Sequence, residues 1–276
     1  MKFAICNELF QGWEMGKVCD HVAGWGYEGL EIAPFTLDED PRRVDEKRAK
    51  AIEKTARGAG IAVVGLHWLL VKPEGLHLTT PDADVRARTV GFLKHLARLC
   101  AAMGGTVMVF GSPKQRSVGE GRKYEDCFAR AAEACRSVCE FARPLGVTLA
   151  LEPLAPAETN FLVTAEETVR LIQAVNHPAC RLHLDVKAMC TEAKSVERII
   201  IDNARYLAHF HANDANRRGP GLGQVDFIPI AAALNKIGYK GWVSVEVFDY
   251  LPDPDTIAYN SIEYLRNTSI RARTAN

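Results

Sequence analysis

Four polar residues recur at equivalent points of a repeating pattern. Glu152 closes Val147-Thr148-Leu149-Ala150-Leu151 and Asp185 closes Arg181-Leu182-His183-Leu184. His211 closes Ala208-His209-Phe210, and Glu246 follows Trp242-Val243-Ser244-Val245. Each run is short and largely apolar, as a buried strand is. Side chains two apart on a strand share a face, so the four are expected to point into one mouth. Three carboxylates crowded together in a partly dry site repel, and a divalent cation is the ordinary means of stabilising them. Oxygen-rich ligation with one imidazole and no thiolate favours Mn2+, with Mg2+ or Co2+ as alternatives, over a closed structural Zn2+ site. Any one of these acids alone would read as a helix cap or a surface charge. Their recurrence in successive strands is what points to a site. His183 and His209 stand two residues before Asp185 and His211, on the same inward face but deeper, where they pack or support the ligands.

The elements that must position these residues alternate short β-rich runs with longer stretches of helical period, the pattern of βαβ units and a parallel sheet. Eight strands are expected: Phe3 to Asn7, Gly29 to Ile32, Ile61 to Leu66, Thr106 to Phe110, Thr148 to Glu152, Arg181 to Asp185, Tyr206 to His211 and Trp242 to Val247. Between them, Val44 to Ala59, Val85 to Met103, Tyr124 to Arg143, Ala165 to Val175 and Phe227 to Ile237 set apolar residues three and four apart, as amphipathic helices do. Gly26, Gly60, Gly104, Gly146 and Gly238 each stand a few residues before a strand, where a helix must stop. The reading is a (β/α)8 TIM barrel made of one domain over residues 1–276.

Such a barrel carries its functional residues at the carboxyl ends of its strands. His67 and Trp68 after the third strand, and Asn7 and Glu8 after the first, should therefore wall a pocket. There a Trp offers a ligand an apolar face, although core packing also explains it. The long polar loops Ser112 to Arg122 and Asn213 to Asp226 follow strands four and seven. In the first, Lys114, Gln115 and Arg116 form a basic cluster that would suit a phosphate or simply face solvent.

Bulk composition narrows the partner. The chain has 276 residues, 47% of them apolar, enough for one large core, and 34 Lys plus Arg against 34 Asp plus Glu. A zero formal charge gives no electrostatic footprint for nucleic acid or an anionic membrane, so a small molecule is expected. No apolar run approaches the roughly 20 residues of a membrane span, and Met1 to Phe10 lacks signal-peptide zones, which reads as cytoplasmic. The eight cysteines show no C-x-x-C spacing, and Cys135 and Cys139 read as small apolar fillers on one helical face. Self-association into a homo-oligomer is left open.

The same residues resemble the sugar phosphate isomerase/epimerase family of xylose isomerase-like barrels, and especially its ketose 3-epimerases of the D-tagatose/D-psicose type, over nearly the whole chain. The resemblance implies that Glu152, Asp185, His211 and Glu246 bind one metal ion and that Glu152 and Glu246 also act as the acid/base pair. It further implies substrate contacts from Glu158, six residues after the first ligand, and Arg217, six after the histidine. One departure stands out. The epimerases and the related hydroxypyruvate isomerases carry a histidine three residues after the metal aspartate, where this chain has Ala188. Lys187 beside it is a replacement donor or a solvent-facing side chain.

Epimerising a sugar next to its carbonyl requires removal of a carbon-bound proton and stabilisation of the enediolate. A cation serves the second need as a Lewis acid. Two carboxylates on opposite faces of the planar enediolate serve the first, leaving Asp185 and His211 as non-reacting ligands. The expected activity is thus 3-epimerisation of a ketose or aldose-ketose isomerisation. The alternative, favoured by Ala188, is a lyase or deglycosidase that acts on a 3-keto sugar by elimination. A hydroxypyruvate isomerase and a non-catalytic sugar-binding barrel are further readings. Cleavage of abasic DNA, known on this fold, would ask for more histidine ligands and a basic face.

Overall fold

The computed structural model describes residues 1–274. Eight parallel strands close into a barrel in sequence order: β1 (Lys2–Cys6), β2 (Gly29–Ile32), β3 (Ala62–Leu66), β4 (Val107–Phe110), β5 (Thr148–Leu151), β6 (Cys180–Asp185), β7 (Leu207–Ala212) and β8 (Trp242–Val245). Around them lie α1 (Met15–Trp25), α2 (Glu46–Gly58), α3 (Ala83–Ala102), α4 (Tyr124–Ala142), α5 (Ala165–Val175), the single turn α6 (Val186–Met189), α7 (Val196–Asp202), α8 (Phe227–Lys236) and α9 (Pro254–Thr274). The expected strands and helices recur within one or two residues of their bounds. The first, sixth, seventh and last helices are additional to those read from apolar spacing. Among the described residues no helix is long and apolar enough to cross a membrane.

The twofold alternation of each strand sorts its side chains between two cores. Ile5, Leu30, Met108, Leu149, Leu151, Leu182, Leu184, Phe210 and Val243 face outward and pack with the helices in one large cluster. Inside the barrel a small floor forms from Ala4, Val64, Val107, Val109 and Ala150, closed by the partly buried Trp242. Gly29 makes room for that floor, since a Cβ there would come within 2.7 Å of Val64 Cγ2 and 2.9 Å of Trp242 Cζ3. Above the floor the inward positions turn polar, with Glu31, His183, His209 and Ser244 all at most 1% exposed.

Register brings the layers level. Asp185 pairs with His211 and His183 with His209 across β6 and β7, His211 pairs with Ser244, and Cys6 with Glu31. Register shifts occur at Leu30/Glu31 and at Leu182/His183. The helix stops fall where expected, with Gly26, Gly60, Gly104, Gly146 and Gly238 at φ of 89, 82, 79, 73 and 67 degrees. All eight cysteines are free thiols, and Cys135 and Cys139 are buried on the inner face of α4.

Candidate active site

Glu152 and Glu246 stand just past the ends of β5 and β8, Asp185 is the last residue of β6, and His211 is the last but one of β7. One donor atom from each lies within 4.8 Å of one from every other. All four are buried, Asp185 completely and Glu152 the most accessible at 6%. The four residues read from strand ends therefore do converge: Glu152, His211 and Glu246 line a pocket, and Asp185 is fully buried beside them.

Each donor is oriented differently. Asp185 caps α6, its Oδ1 accepting from the Ala188 N–H at 2.8 Å and its Oδ2 accepting from Asn213 Nδ2. Asn213 Oδ1 in turn accepts the Lys187 N–H at 2.8 Å. Glu246 accepts at Oε1 from the Trp68 indole at 2.8 Å, and its Oε2 lies 3.1 Å from His211 Nδ1. The other nitrogen of His211 faces Glu31 Oε1 at 3.1 Å. Glu152 is the least committed, with His183 Nε2 3.9 Å from its Oε1, beyond hydrogen-bond length. Its carboxylate lies against Gly111, where a Cβ would meet Oε2 at 1.7 Å. Only glycine lets the carboxylate occupy that position.

The charges are strongly coupled. Burial, reinforced by Asp185 and Glu246, holds the Glu152 carboxyl well above the ordinary range. Burial also raises Asp185, with Glu246 adding to it and Lys187 opposing. For Glu246 burial acts upward but is outweighed by His211, His67 and Lys187, so its carboxyl sits below the usual value. Burial would likewise discharge His211, yet Glu31 and Glu246 on its two edges hold it well above an ordinary imidazole. An under-compensated trio of carboxylates with one imidazole is the donor set that fits a hard divalent cation.

The other residues expected to meet a ligand also line the pocket, together with Phe248: His67, Trp68, Glu158, Lys187 and Arg217. Lys187 is only 9% exposed and does not face solvent. Its ammonium donates to Glu158 Oε1 at 2.7 Å and lies 4.4 Å from the centre of the Phe248 ring. The Arg217 guanidinium stands 5.7 Å from the same ring, on a backbone at φ 72 degrees. The hydrogen-bonding atoms of His67 turn toward protein, with Nε2 2.7 Å from Glu8 Oε2 and Nδ1 3.8 Å from Glu31 Oε1. What His67 offers the pocket is ring surface. Asn7 does not line it, its side chain being held by Thr36 and the Ala33 N–H.

The basic cluster after the fourth strand needs correction. Arg116 is fully buried and donates to the Glu152 carbonyl at 2.6 Å, so it fastens β5 to the preceding loop and is not available to a phosphate. His209 supports the site from below as expected, its Nε2 2.7 Å from Glu31 Oε2. His183 packs edge-on to His211 at 4.1 Å between ring centres, and neither of its nitrogens has a hydrogen-bond partner. Glu31 and Asn213 were missed in the sequence. Their only signal is position: Glu31 is an acid at an inward step of a strand of aliphatics, and Asn213 lies two residues past His211.

Comparison with known proteins bears on the fold as a whole. A model of the xylose isomerase-like TIM barrel matches residues 19–268. The D-psicose 3-epimerase of Ruminiclostridium cellulolyticum is 30% identical over 248 residues, covering 86% of this chain and 80% of that protein. The L-ribulose 3-epimerase of Mesorhizobium japonicum is 32% identical, covering 80% and 72%. Among solved structures, D-psicose 3-epimerase with D-tagatose from Clostridium cellulolyticum H10 superposes with a TM-score of 0.85 at 25% identity, over 98% of this chain and 99% of that one.

Proposed function

The chain belongs to the xylose isomerase-like TIM-barrel family, and on that premise we propose that it is a divalent-metal-dependent sugar epimerase acting beside the carbonyl of a ketose, with inversion at C3 as its reaction. The observation that carries this reading is the meeting of Glu152, Asp185, His211 and Glu246 donor atoms within 4.8 Å, three of these residues lining one pocket. Relatives that share 30% and 32% of their aligned residues with the chain are 3-epimerases of D-psicose and L-ribulose, which supports the same chemistry.

Glu152, Asp185, His211 and Glu246 would hold the cation, Mn2+ by preference. When bound, it supplies Lewis-acid polarisation of the sugar carbonyl and the adjacent hydroxyl. Proton transfer falls to Glu152 and Glu246, which approach from β5 and β8. One carboxylate removes the C3 proton, and the other returns a proton to the opposite face of the enediolate. Trp68 fixes Glu246 through its indole N–H, while Glu152 has no comparable tether and is free to follow the proton. Glu158, Lys187 and Arg217 would bind the sugar hydroxyls at the rim. Trp68 and Phe248 would cover its C–H faces and exclude water.

Ala188 supports a second reading, elimination from a 3-keto sugar after the same first proton transfer. In that case the Lys187 ammonium, 2.7 Å from Glu158, would assist the leaving group. A screen of ketoses, aldoses and 3-keto glycosides with Mn2+, Mg2+ or Co2+ tests both. The proposal expects ketose turnover that is abolished by chelation. It also expects a loss of about 10²-fold or more in Glu152→Gln and in Glu246→Gln. Substantial turnover retained by both variants would refute the acid/base pair.

A further inference from the structure

The barrel interior contains a carboxylate that the proposed reaction does not use. Glu31 is fully buried on β2, and its side chain crosses the barrel to β7. Each of its oxygens meets a different imidazole there: Oε2 is 2.7 Å from His209 Nε2, and Oε1 is 3.1 Å from His211 Nε2. Burying a carboxylate costs several kcal/mol unless it is paired. Two ring N–H groups provide that pairing, and they constrain the rings in return.

We infer that Glu31 is a positioning residue that turns His211 so that Nδ1 faces the other three cation ligands. This assignment rests on the cation site proposed above. An ionised carboxylate only accepts hydrogen bonds, so each imidazole must present a protonated nitrogen to it. For His211 that nitrogen is Nε2, which leaves Nδ1 on the opposite edge of the ring. Nδ1 is the nitrogen that lies 3.1 Å from Glu246 Oε2, among the converging donors. Glu31 thereby fixes the orientation of the ring and, once a cation takes the place of the Nδ1 proton, which nitrogen offers its lone pair. A carboxylate in this role commonly raises the ligand's basicity, and its loss costs about 10 to 100-fold in metal affinity.

Other contacts of His211 cannot do the same work. The Cys6 thiol is 3.9 Å from Nε2, and His183 touches only the ring face, with centroids 4.1 Å apart. His209 is needed to satisfy the second oxygen of Glu31 but does not touch a ligand through a hydrogen bond. Its replacement should therefore matter less than that of Glu31. Glutamine at position 31 is nearly the same size, yet it accepts through one oxygen only and presents an amide N–H to the other ring. One imidazole must then change tautomer or turn away.

Two measurements test the assignment. The first is ¹⁵N NMR of histidine-labelled wild-type protein loaded with Mg2+. The proton of His211 is expected on Nε2, and a proton on Nδ1 would overturn the assignment, whether or not any variant folds. The second is Mn2+ titration by calorimetry of wild type, Glu31→Gln and His209→Asn, with melting of the metal-free proteins alongside. Glu31→Gln should bind Mn2+ about 10 to 100-fold more weakly, and His209→Asn should lose less. Wild-type affinity in Glu31→Gln, or an equal loss in His209→Asn, would overturn the positioning role while leaving the cation site standing. A wild-type protein that takes up no Mn2+ would instead overturn the cation site and this assignment with it.

Discussion

Glu152→Gln in the metal-free protein should reveal how much repulsion the site stores. Two like charges 4.8 Å apart, the outer limit for these donors, repel by about 3.5 kcal/mol at an effective dielectric of about 20. The folded protein avoids part of that cost by favouring the protonated form of Glu152, because burial, with Asp185 and Glu246, holds its carboxyl well above the ordinary glutamate range. A carboxyl whose folded pKa is raised binds its proton more tightly in the native state than in the unfolded chain. Its contribution to stability is present below about pH 4.5 and is lost as pH rises through the folded value. Glutamine cannot ionise, so the variant escapes this loss. Wild type and Glu152→Gln are expected to melt within a degree or two of each other near pH 5. At pH 8 the variant should be more stable by about 1 to 3 kcal/mol, or roughly 2 to 5 °C for a chain of this size. Pairs common to both proteins, such as His67 with Glu8 and His209 with Glu31, cancel in the difference. Adding Mn2+ at about 100 times its Kd should stabilise wild type by about 2.7 kcal/mol and the variant much less. Parallel melting curves across this pH range, or equal shifts with Mn2+, would refute the picture of a carboxylate trio waiting for a cation.

Further substitutions probe single contacts. Trp68→Phe keeps an aromatic wall but removes the 2.8 Å hydrogen bond to Glu246, and kcat should fall by about 10 to 100-fold, the equivalent of a charged hydrogen bond; unchanged kcat would leave the indole as packing. Gly111→Ala forces a methyl to 1.7 Å from Glu152 Oε2, so Mn2+ affinity by calorimetry should drop at least about 10-fold as a ligand is displaced, with the melting temperature much less affected. Arg116→Met leaves the Glu152 carbonyl without its 2.6 Å donor, and thermal unfolding should show a loss of about 1 to 3 kcal/mol. Lys187→Met breaks the 2.7 Å pair with Glu158 and should raise KM for the preferred sugar more than it lowers kcat.

The strand plan was legible because inward and outward positions alternate and glycines mark the helix ends, so β2 and α5 have the bounds expected of them. The four converging donors were legible because each stands at a strand end, where position along the chain fixes position in the barrel. Long-range reach was not legible. Glu31 is recognisable only once β2 and β7 are known to face each other across the interior. Lys187 sits in a single helical turn capped by Asp185, and nothing local tells whether its long side chain turns to solvent or to Glu158. Arg116 looks like a loop charge until its loop is seen to fold back on β5. Trp68 reads as a wall, and its indole N–H finds Glu246 only through the left-handed backbone at φ 52 degrees.

The most direct measurement is proton NMR of the preferred ketose turned over by the Mn2+-loaded protein in deuterium oxide. The account predicts an intact epimer that carries one solvent deuterium at C3, and no product once a chelator is added. An epimer formed with its C3 proton retained, or a released substituent in place of an intact sugar, would contradict it.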